Sequence, residues 1–337
     1  MLKRYAYFDN AKLVLIFLVV FGHAIQPFTT ESPLIHTLYI WIYTFHMPAF
    51  IFLAGFFAKG EGSFSYIAKL AKKLLIPYII FQGLYTGYYF IIGRDYWMTE
   101  HLFHPHWSLW FLLSLFFWHL LLIGYRRVPF SIGMGFALLI GIVVGYFDQI
   151  EHTFSLSRTF VFFPFFLLGY HTKMEHLRWL KKRTVKALAL IVLVGVAISI
   201  YYLPNFNSGW LLASKSYQSL GVEHLGGLAR IFVYGTSTLM LVAVLAWIPS
   251  KRMAFTTLGE RTLYVYLLHG FIIQYCREME LFVINDFLGL VGMAFVSALI
   301  VYLLSSRVVI TLAQPLVEVS TSRMQNFFQR FRHLSKI

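Results

Sequence analysis

Two residues in the first apolar stretch of the chain carry side chains suited to proton transfer and anion binding. His23 interrupts the apolar sequence LIFLVVFGHAIQPF, and Lys12 precedes it by eleven residues. In a helix, eleven residues bring two side chains within about 20° of the same face and about 16 Å apart along the axis. This face would carry a cation near one end and, farther along, an imidazole, which suits acid–base chemistry near neutral pH.

Both residues also have structural interpretations, which the sequence leaves open. A lysine near a helix end can extend its charged group to a membrane surface, and a buried histidine can hydrogen-bond to a neighbouring helix. Gly22 allows close approach of a ligand but is also common in helix packing. Asp9 lies near the same face, so an ion pair with Lys12 is expected if the helix extends that far.

The amino-acid composition predicts that these residues lie in a membrane. Hydrophobic residues make up 59% of the 337 positions, charged residues make up 12%, and the mean hydropathy is +0.69. Soluble domains carry about 25% charged residues, so the chain is predicted to be an all-α polytopic membrane protein. A basic start followed by a long apolar run indicates an uncleaved first span. The single cysteine, Cys276, excludes an internal disulfide framework.

Ten apolar segments of about 20 residues predict a bundle of about ten transmembrane helices. The sixth and ninth segments are short, so their ends are the least well defined. The segments cover roughly residues 11–28, 37–58, 73–92, 107–124, 130–147, 159–172, 185–203, 229–248, 262–276 and 287–309. The predicted transmembrane domain covers residues 5–310, and a basic cytoplasmic tail covers residues 311–337.

The distribution of positive charge supports ten crossings with both termini in the cytoplasm. Lys and Arg concentrate in the cytoplasmic loops of membrane proteins. Ten crossings from a cytoplasmic N-terminus place 23 of the 28 basic residues inside, and eight or nine crossings break this alternation. The same placement accounts for the pI of about 9.7 without a nucleic-acid partner, because basic loops contact anionic lipid headgroups. The five outer basic residues are Arg94, Arg158, Lys215, Arg230 and Arg277.

Further residues could form a site with His23. His46 lies about 14 Å below the outer surface, close to the depth of His23, and could act as a base or as a donor to an oxyanion, or simply pack. Arg158 lies at the outer end of the sixth segment, where it could bind a sugar or an anionic lipid carrier, or pair with Glu151. Trp110 could stack on a sugar or belong to an interfacial aromatic belt.

Two polar stretches on the predicted outer side are weaker candidates. The sequence EHLFHPHW, from Glu100 to Trp107, is rich in histidine, but its spacing matches no standard zinc motif, and no metal is expected. The connection from Pro204 to Gly227 is the longest outer segment and is a candidate for acceptor contact or a re-entrant segment.

Six sequence stretches, in order along the chain, resemble the integral-membrane acyltransferase-3 family, in particular the branch related to fucose 4-O-acetylase and similar sugar O-acetyltransferases. The resemblance extends over roughly residues 5–310. The stretches are YFDNAKLVLIFLVVFGH, TFHMPAFIFLAGFF, KLAKKLLIPY, HWSLWFLLSLFFW, FFPFFLLGY and LGERTLYVYLLH.

This resemblance implies a ten-helix enzyme that takes an acyl group, usually acetyl, from cytoplasmic acyl-CoA. The acceptor would be a hydroxyl of a cell-surface or lipid-linked glycan. The family carries a basic residue, commonly Arg, eleven positions before an essential His, and Lys12 and His23 occupy these positions. Lysine lacks the bidentate phosphate recognition of arginine. The last motif also contains His269, a candidate substrate-binding residue.

The donor would need cations for its phosphates. Lys12 together with Lys69, Lys72 and Lys73 at the predicted inner ends of spans 1 and 3 supplies them, although each lysine alone also fits ordinary cytoplasmic loop charge. The expected location is the cell membrane, with membrane lipids and envelope-biosynthesis proteins as further partners. Two other classes stay open, namely a transporter or exporter of a glycan or small molecule, and a non-catalytic subunit of a cell-envelope complex.

Overall fold

The computed structural model describes residues 5–93, 104–150, 153–203 and 206–318. These residues form thirteen α-helices with short 3-10 segments between them, and they contain no β-strand, which confirms the predicted all-α class. The helices are α1 (Ala6–Ile25), α2 (Pro33–Phe56), α3 (Phe64–Ile91), α4 (Trp110–Tyr125), α5 (Phe130–Val143), α6 (Leu156–His171), α7 (Met174–Trp179), α8 (Arg183–Tyr201), α9 (Gly209–Leu212), α10 (Gly226–Trp247), α11 (Thr262–Glu278), α12 (Phe287–Leu304) and α13 (Arg307–Glu318).

Each of the ten predicted apolar segments lies on a helix, and six helices are long and apolar enough to cross a membrane. These six are α1 with its 3-10 extension, α2, α3, α8, α10 and α12. The helices α4 and α5 are apolar but shorter, and α6 and α11 have 16 and 17 residues, below the roughly 20 that a span requires. The protein is therefore a membrane protein, while ten crossings and cytoplasmic termini stay predictions.

A short helix follows the last predicted span and overlaps the start of the predicted tail. The helix α12 ends at Leu304, and a separate helix, α13, begins at Arg307. Ala313 and Val317 of α13 are buried against α3 and α11, and the Tyr264 hydroxyl donates to a Glu318 carboxylate oxygen at 2.7 Å. The first part of the predicted tail is thus a packed helix. The rest of that tail, residues 319–337, lies outside the described residues.

Side chains next to the helix ends satisfy backbone groups that have no partner within the helix. Ser32, Ser63 and Asp286 accept hydrogen bonds from backbone N–H groups in the first turns of α2, α3 and α12. Lys181 donates to three backbone carbonyls at the C-terminus of α10, at 2.5 to 3.0 Å. A cation is favourable at a helix C-terminus because of the helix dipole.

Two glycines allow α2 and α6 to pack with their backbones in contact. A Cβ atom on Gly55 would lie 2.0 Å from the Phe166 carbonyl oxygen, and one on Gly169 would lie 2.0 Å from the Phe52 carbonyl oxygen. Both distances are far below van der Waals contact, so only glycine fits at either position. The glycines belong to the motifs FLAGFF and FFLLGY, and they hold α6 against the helix that carries His46.

The N-terminal half of α1 is fixed by the connection between α10 and α11. The Asn10 side chain donates to two backbone carbonyls of this connection, both at 2.9 Å, and accepts from the Thr256 hydroxyl at 2.6 Å. Gly259 lies so close to the Asp9 carbonyl that a Cβ atom would be 1.9 Å away. These contacts fix the rotation of α1, and therefore the direction in which Lys12 points.

Candidate active site

A cavity of about 380 Å³ extends along one face of α1 and is bounded by α2, α4, α6, α9 and α11. The residues that α1 contributes repeat at intervals of three and four, which confirms that Lys12 and His23 share one helix face. They are Phe8, Lys12, Ile16, Val19 and His23, and Gln26 of the 3-10 segment that follows α1 continues the series. Between Lys12 and His23, α1 contributes only the apolar side chains of Ile16 and Val19 to the cavity wall.

Five of the nine predicted site residues line this cavity, and four do not. The five are Lys12, His23, His46, Trp110 and Arg158. His269 is fully buried beside His23, with the two ring centroids 5.7 Å apart. Lys69, Lys72 and Lys73 are exposed on α3 and do not reach the cavity wall. The structure thus brings together the predicted catalytic and acceptor residues, but not the predicted cation cluster.

The His23 imidazole contacts the side chains of Tyr43 and Trp107, in addition to His269. Its Nδ1 lies 3.1 Å from the Tyr43 hydroxyl, and its ring centroid lies 4.2 Å from that of Trp107. When Nδ1–H donates to the Tyr43 oxygen, the lone pair of the neutral ring is on Nε2. In this tautomer the ring can take a proton from a substrate in the cavity that His23 lines.

Arg277 fixes the end of α1 that carries His23. Its Nη2 donates to the backbone carbonyl of His23 and, at 2.8 Å, to the side-chain oxygen of Gln26. The same guanidinium lies 5.8 Å from the centre of the Trp107 ring. Carbonyls in the last turn of a helix have no partner within the helix and favour a cation. Arg277 therefore positions the backbone of His23 and one aromatic contact of its ring.

Two more histidines have their tautomers fixed by backbone carbonyls. His46 Nδ1 lies 3.0 Å from the Ile42 oxygen, and His269 Nδ1 lies 2.9 Å from the Val265 oxygen. A carbonyl can only accept, so each Nδ1 carries the proton and each neutral ring has its lone pair on Nε2. Neutral His46 is therefore arranged to accept a proton and not to donate to an oxyanion. Of the two chemical roles expected from the sequence, this geometry favours the base.

Lys12 forms the expected ion pair with Asp9. The Lys12 Nζ lies 2.8 Å from an Asp9 carboxylate oxygen, and the Asp9 side chain is 5% exposed against 30% for Lys12. The carboxylate offsets part of the lysine charge. Two ammonium N–H groups are left to bind a ligand, so Lys12 offers hydrogen-bond donors at the cavity wall more than an uncompensated positive charge.

Arg158 and Trp110 both line the cavity, and the Arg158 guanidinium lies over the Trp110 ring. Arg158 Nε donates to the Leu212 carbonyl at 3.2 Å, and the guanidinium carbon lies 5.0 Å from the centre of the Trp110 ring. Trp110 in turn stacks on Phe162, with ring centroids 5.6 Å apart. Glu151, the alternative partner for Arg158, lies outside the described residues.

The long connection between α8 and α10 contributes to the site with apolar residues. Leu211 and Leu212 line the cavity. Trp210 and Tyr217 of the same connection are buried and stack on each other, with ring centroids 5.4 Å apart. The connection therefore supplies a wall of the cavity, while its aromatic residues pack inside the protein.

The histidine-rich stretch contributes packing where it is described. Glu100 and His101 lie outside the described residues. His106 is buried, its Nε2 lies 2.7 Å from the Thr86 hydroxyl, and burial lowers the pKa of His106 to about 4. Within the described part of the chain, no three metal-ligating side chains lie close enough together to hold a metal ion.

The fold and the site are those of an apolar helix bundle with histidines, an arginine and a lysine along one cavity, as an integral-membrane enzyme would require. Residues 5–306 match the family model described as an acyltransferase domain, and the chain belongs to this acyltransferase-3 family. It is also similar to nodulation protein NolL of Mesorhizobium japonicum (strain LMG 29417 / CECT 9101 / MAFF 303099), at 24% identity over 304 residues, which cover 79% of this chain and 76% of the relative. No solved structure matches the chain.

The protein is therefore a membrane O-acyltransferase, and the expected resemblance to the family is confirmed. Family membership favours an enzyme over the transporter and the non-catalytic subunit that the sequence left open. The branch related to fucose 4-O-acetylase stays a prediction.

Proposed function

We propose that the protein transfers an acyl group, acetyl by preference, from cytoplasmic acyl-CoA to a hydroxyl of a cell-surface or lipid-linked glycan in the cell membrane. The observation that carries this proposal is the cavity shared by Lys12 and His23. Coenzyme A is too polar to cross a bilayer, whereas its acyl group can be carried inward on the extended pantetheine arm. The two residues are about 16 Å apart along α1, a distance that such an arm would roughly cover.

In this mechanism, the donor headgroup stays at the Lys12 end and the thioester lies beside His23. Nε2 of His23 takes the proton of the acceptor hydroxyl, and the oxygen attacks the thioester carbonyl to form a new C–O bond. The tetrahedral intermediate then expels the coenzyme A sulfur, which receives the proton from the imidazolium. His46 is a second proton acceptor on the same cavity, and Arg158, Trp110 and His269 would bind or orient the acceptor.

The lysines on α3 keep a proposed role that differs from that of Lys12. Because the headgroup of the donor would remain outside the cavity, its phosphates need cations at the protein surface. Lys69, Lys72 and Lys73 are exposed on one helix and meet this requirement. Lys12, which is already paired with Asp9, would donate hydrogen bonds at the point where the arm enters.

The experiment measures acetyl transfer from radiolabelled acetyl-CoA to membrane vesicles of cells that produce the protein, together with release of free coenzyme A. His23→Ala should lower the rate by at least about 10²- to 10⁴-fold, the usual contribution of a general base. The matched control is His224→Ala, because His224 is exposed and outside the cavity. The melting temperature of His23→Ala and its affinity for acetyl-CoA should equal those of the wild-type protein.

Substantial transferase activity in His23→Ala would contradict the mechanism and reduce His23 to a packing residue. Loss of activity together with loss of acetyl-CoA binding would instead indicate damage to the whole cavity. A wild-type protein that releases no coenzyme A with any vesicle fraction would refute acyl-CoA as the donor.

A further inference from the structure

We propose that the end of the cavity opposite Lys12 is an anion subsite, in which Arg158 binds a phosphate or carboxylate group of the acceptor. The proposal rests on the acyl transfer proposed above, and it specifies the chemical class of the acceptor. An acceptor of this class carries a negative charge near the hydroxyl that is acylated.

The first argument is the orientation of the guanidinium. One face of Arg158 lies over the Trp110 ring, and its Nε is occupied by the Leu212 carbonyl. Both contacts hold the planar guanidinium in place. They leave the edge with the two terminal nitrogens, Nη1 and Nη2, available to a ligand. Parallel N–H groups on this edge match the two oxygens of a carboxylate or phosphate, and such bidentate, charge-assisted pairs are among the strongest hydrogen bonds in proteins.

The second argument is a comparison with the other arginines. Four more arginines form hydrogen bonds within the described residues, and each of them uses a terminal nitrogen on a protein acceptor. They are Arg126, Arg230, Arg261 and Arg277. Arg158 alone among these five bonds to the protein through Nε. It is also the member of this set that lines the cavity.

The third argument is the positive charge of Arg158 among the described residues. Arg158 lies in the first turn of α6, where the helix dipole is positive and a cation is unfavourable. No carboxylate of the described residues forms an ion pair with it. Arg158 is half-buried, and a partly desolvated cation gains from an anionic partner. An anion bound at this point would be stabilised by the guanidinium and by the N-terminus of α6 at once.

The position of Arg158 assigns the anion to the acceptor. Arg158 lies over Trp110, three residues after the Trp107 ring that packs on His23, so we place it at the catalytic end of the cavity. The phosphates of the donor would lie at the Lys12 end, about 16 Å away along α1. The remaining source of an anion is the transferred acyl group itself, as in a succinyl group, and the experiment separates this case.

The first measurement is binding of inorganic phosphate and of succinate to the detergent-purified full chain. Binding is monitored as the rise in melting temperature at constant ionic strength. Arg158→Gln should raise the apparent Kd for these anions by about tenfold or more, since one charge-assisted bidentate contact is lost. Arg158→Lys keeps the charge but loses the two parallel N–H donors, so its Kd should lie between those of wild type and Arg158→Gln. The matched control is Lys215→Gln, because Lys215 is an exposed cation of the α9–α10 connection outside the cavity.

Equal Kd values for wild type and Arg158→Gln would overturn the subsite. If Arg158→Gln does not fold, Arg158→Lys decides the question, and a Kd identical to wild type for both anions would then overturn the bidentate geometry. If phosphate binds through Arg158 but the wild type transfers no acetyl group, the proposed function fails while the subsite stands.

The second measurement locates the anion by acyl transfer to a sugar 1-phosphate and to the methyl glycoside of the same sugar. With acetyl-CoA as donor, Arg158→Gln should raise the KM for the sugar phosphate about tenfold or more beyond any change in the KM for the neutral glycoside. A defect that appears only with succinyl-CoA would place the anion on the acyl group and overturn its assignment to the acceptor.

Discussion

At the scale of single residues, three side chains hold or contact His23. Tyr43 occupies Nδ1, Arg277 holds the backbone carbonyl, and Trp107 packs on the ring. Nδ1 and Nε2 of a neutral imidazole carry one proton between them, so Nε2 can accept when Nδ1–H donates to the Tyr43 oxygen. Tyr43 is therefore a positioning residue for the proposed base.

Tyr43→Phe removes the hydroxyl that contacts Nδ1 and keeps the aromatic ring. We expect kcat to fall about tenfold, in line with the loss of one orienting hydrogen bond, while the KM for acetyl-CoA is unchanged. Steady-state kinetics at several acetyl-CoA concentrations measure this split.

The matched control for this prediction is Tyr234→Phe. The Tyr234 hydroxyl is also buried and donates to the Val161 carbonyl at 2.8 Å, but it lies outside the cavity. This control should lower the melting temperature and spare kcat. A Tyr43→Phe variant that behaves like the control would show that the Tyr43 hydroxyl serves stability alone.

The sequence indicates some of these residues and conceals others, for a physical reason. Lys12 and His23 are found because both lie on one helix, where spacing fixes their relative direction. Tyr43 is one of 21 tyrosines, and nothing in its neighbourhood marks it as a partner of His23. Arg277 is 254 residues away from His23, so their contact depends on how helices pack and has no local signature.

At the scale of helices, the contact between α2 and α6 brings two parts of the site together. α2 carries Tyr43 and His46, and α6 carries Arg158. Their backbones touch at Gly55 and Gly169, where a Cβ atom would overlap a carbonyl oxygen of the facing helix. The close approach of these two helices, which both line the cavity, requires two residues that have no side chain.

Gly169→Ala should separate α2 from α6. The new Cβ atom would lie 2.0 Å from the backbone oxygen of Phe52, which cannot rotate away as a side chain would. We expect destabilisation of about 1–3 kcal/mol or more, as for other overpacked cores. Thermal unfolding of the detergent-purified protein, followed by circular dichroism, measures this effect together with the transferase rate.

Gly195→Ala on α8 is the matched control, because a Cβ atom at Gly195 would have no neighbouring atom within 4 Å. Alanine is favoured over glycine in a helix by about 1 kcal/mol, so this variant should be neutral or more stable. Equal melting temperatures for Gly169→Ala and Gly195→Ala would mean that the close approach of α2 and α6 is not required.

Apolar runs predict where helices occur in this chain but not how each helix meets its neighbours. All ten predicted segments are helical because hydrophobic stretches of this length have few other structures in a membrane. Apolar runs do not predict the short helices α7 and α9 or the packed helix α13. The sequences of α7 and α13 mix polar and apolar residues, and α9 has only four residues. Leu211 and Leu212 reach the cavity through α9, a placement that depends entirely on packing.

At the scale of the whole molecule, the mechanism requires that the two ends of the cavity face different compartments. The Lys12 end must open to the cytoplasm, where acyl-CoA is made, and the Arg158 end must receive the acceptor. The predicted topology provides this orientation, because it places the N-terminus and 23 of the 28 basic residues inside. The orientation of the chain is thus a test of the proposed function as well as of the fold.

Accessibility of single cysteines tests this orientation. In a Cys276→Ser background, the variants Lys215→Cys, Arg127→Cys and Lys182→Cys each place one thiol on an exposed position in a connection between helices. A membrane-impermeant maleimide added to intact cells should label the variant at Lys215, and it should label the variants at Arg127 and Lys182 only after the membrane is permeabilised. The positive-inside distribution of charge is the reason for this pattern. Labelling at Lys182 in intact cells would place the basic α7–α8 connection outside. This result would contradict the ten-span arrangement. It would also contradict the delivery of acyl-CoA from the cytoplasm to the Lys12 end of the cavity.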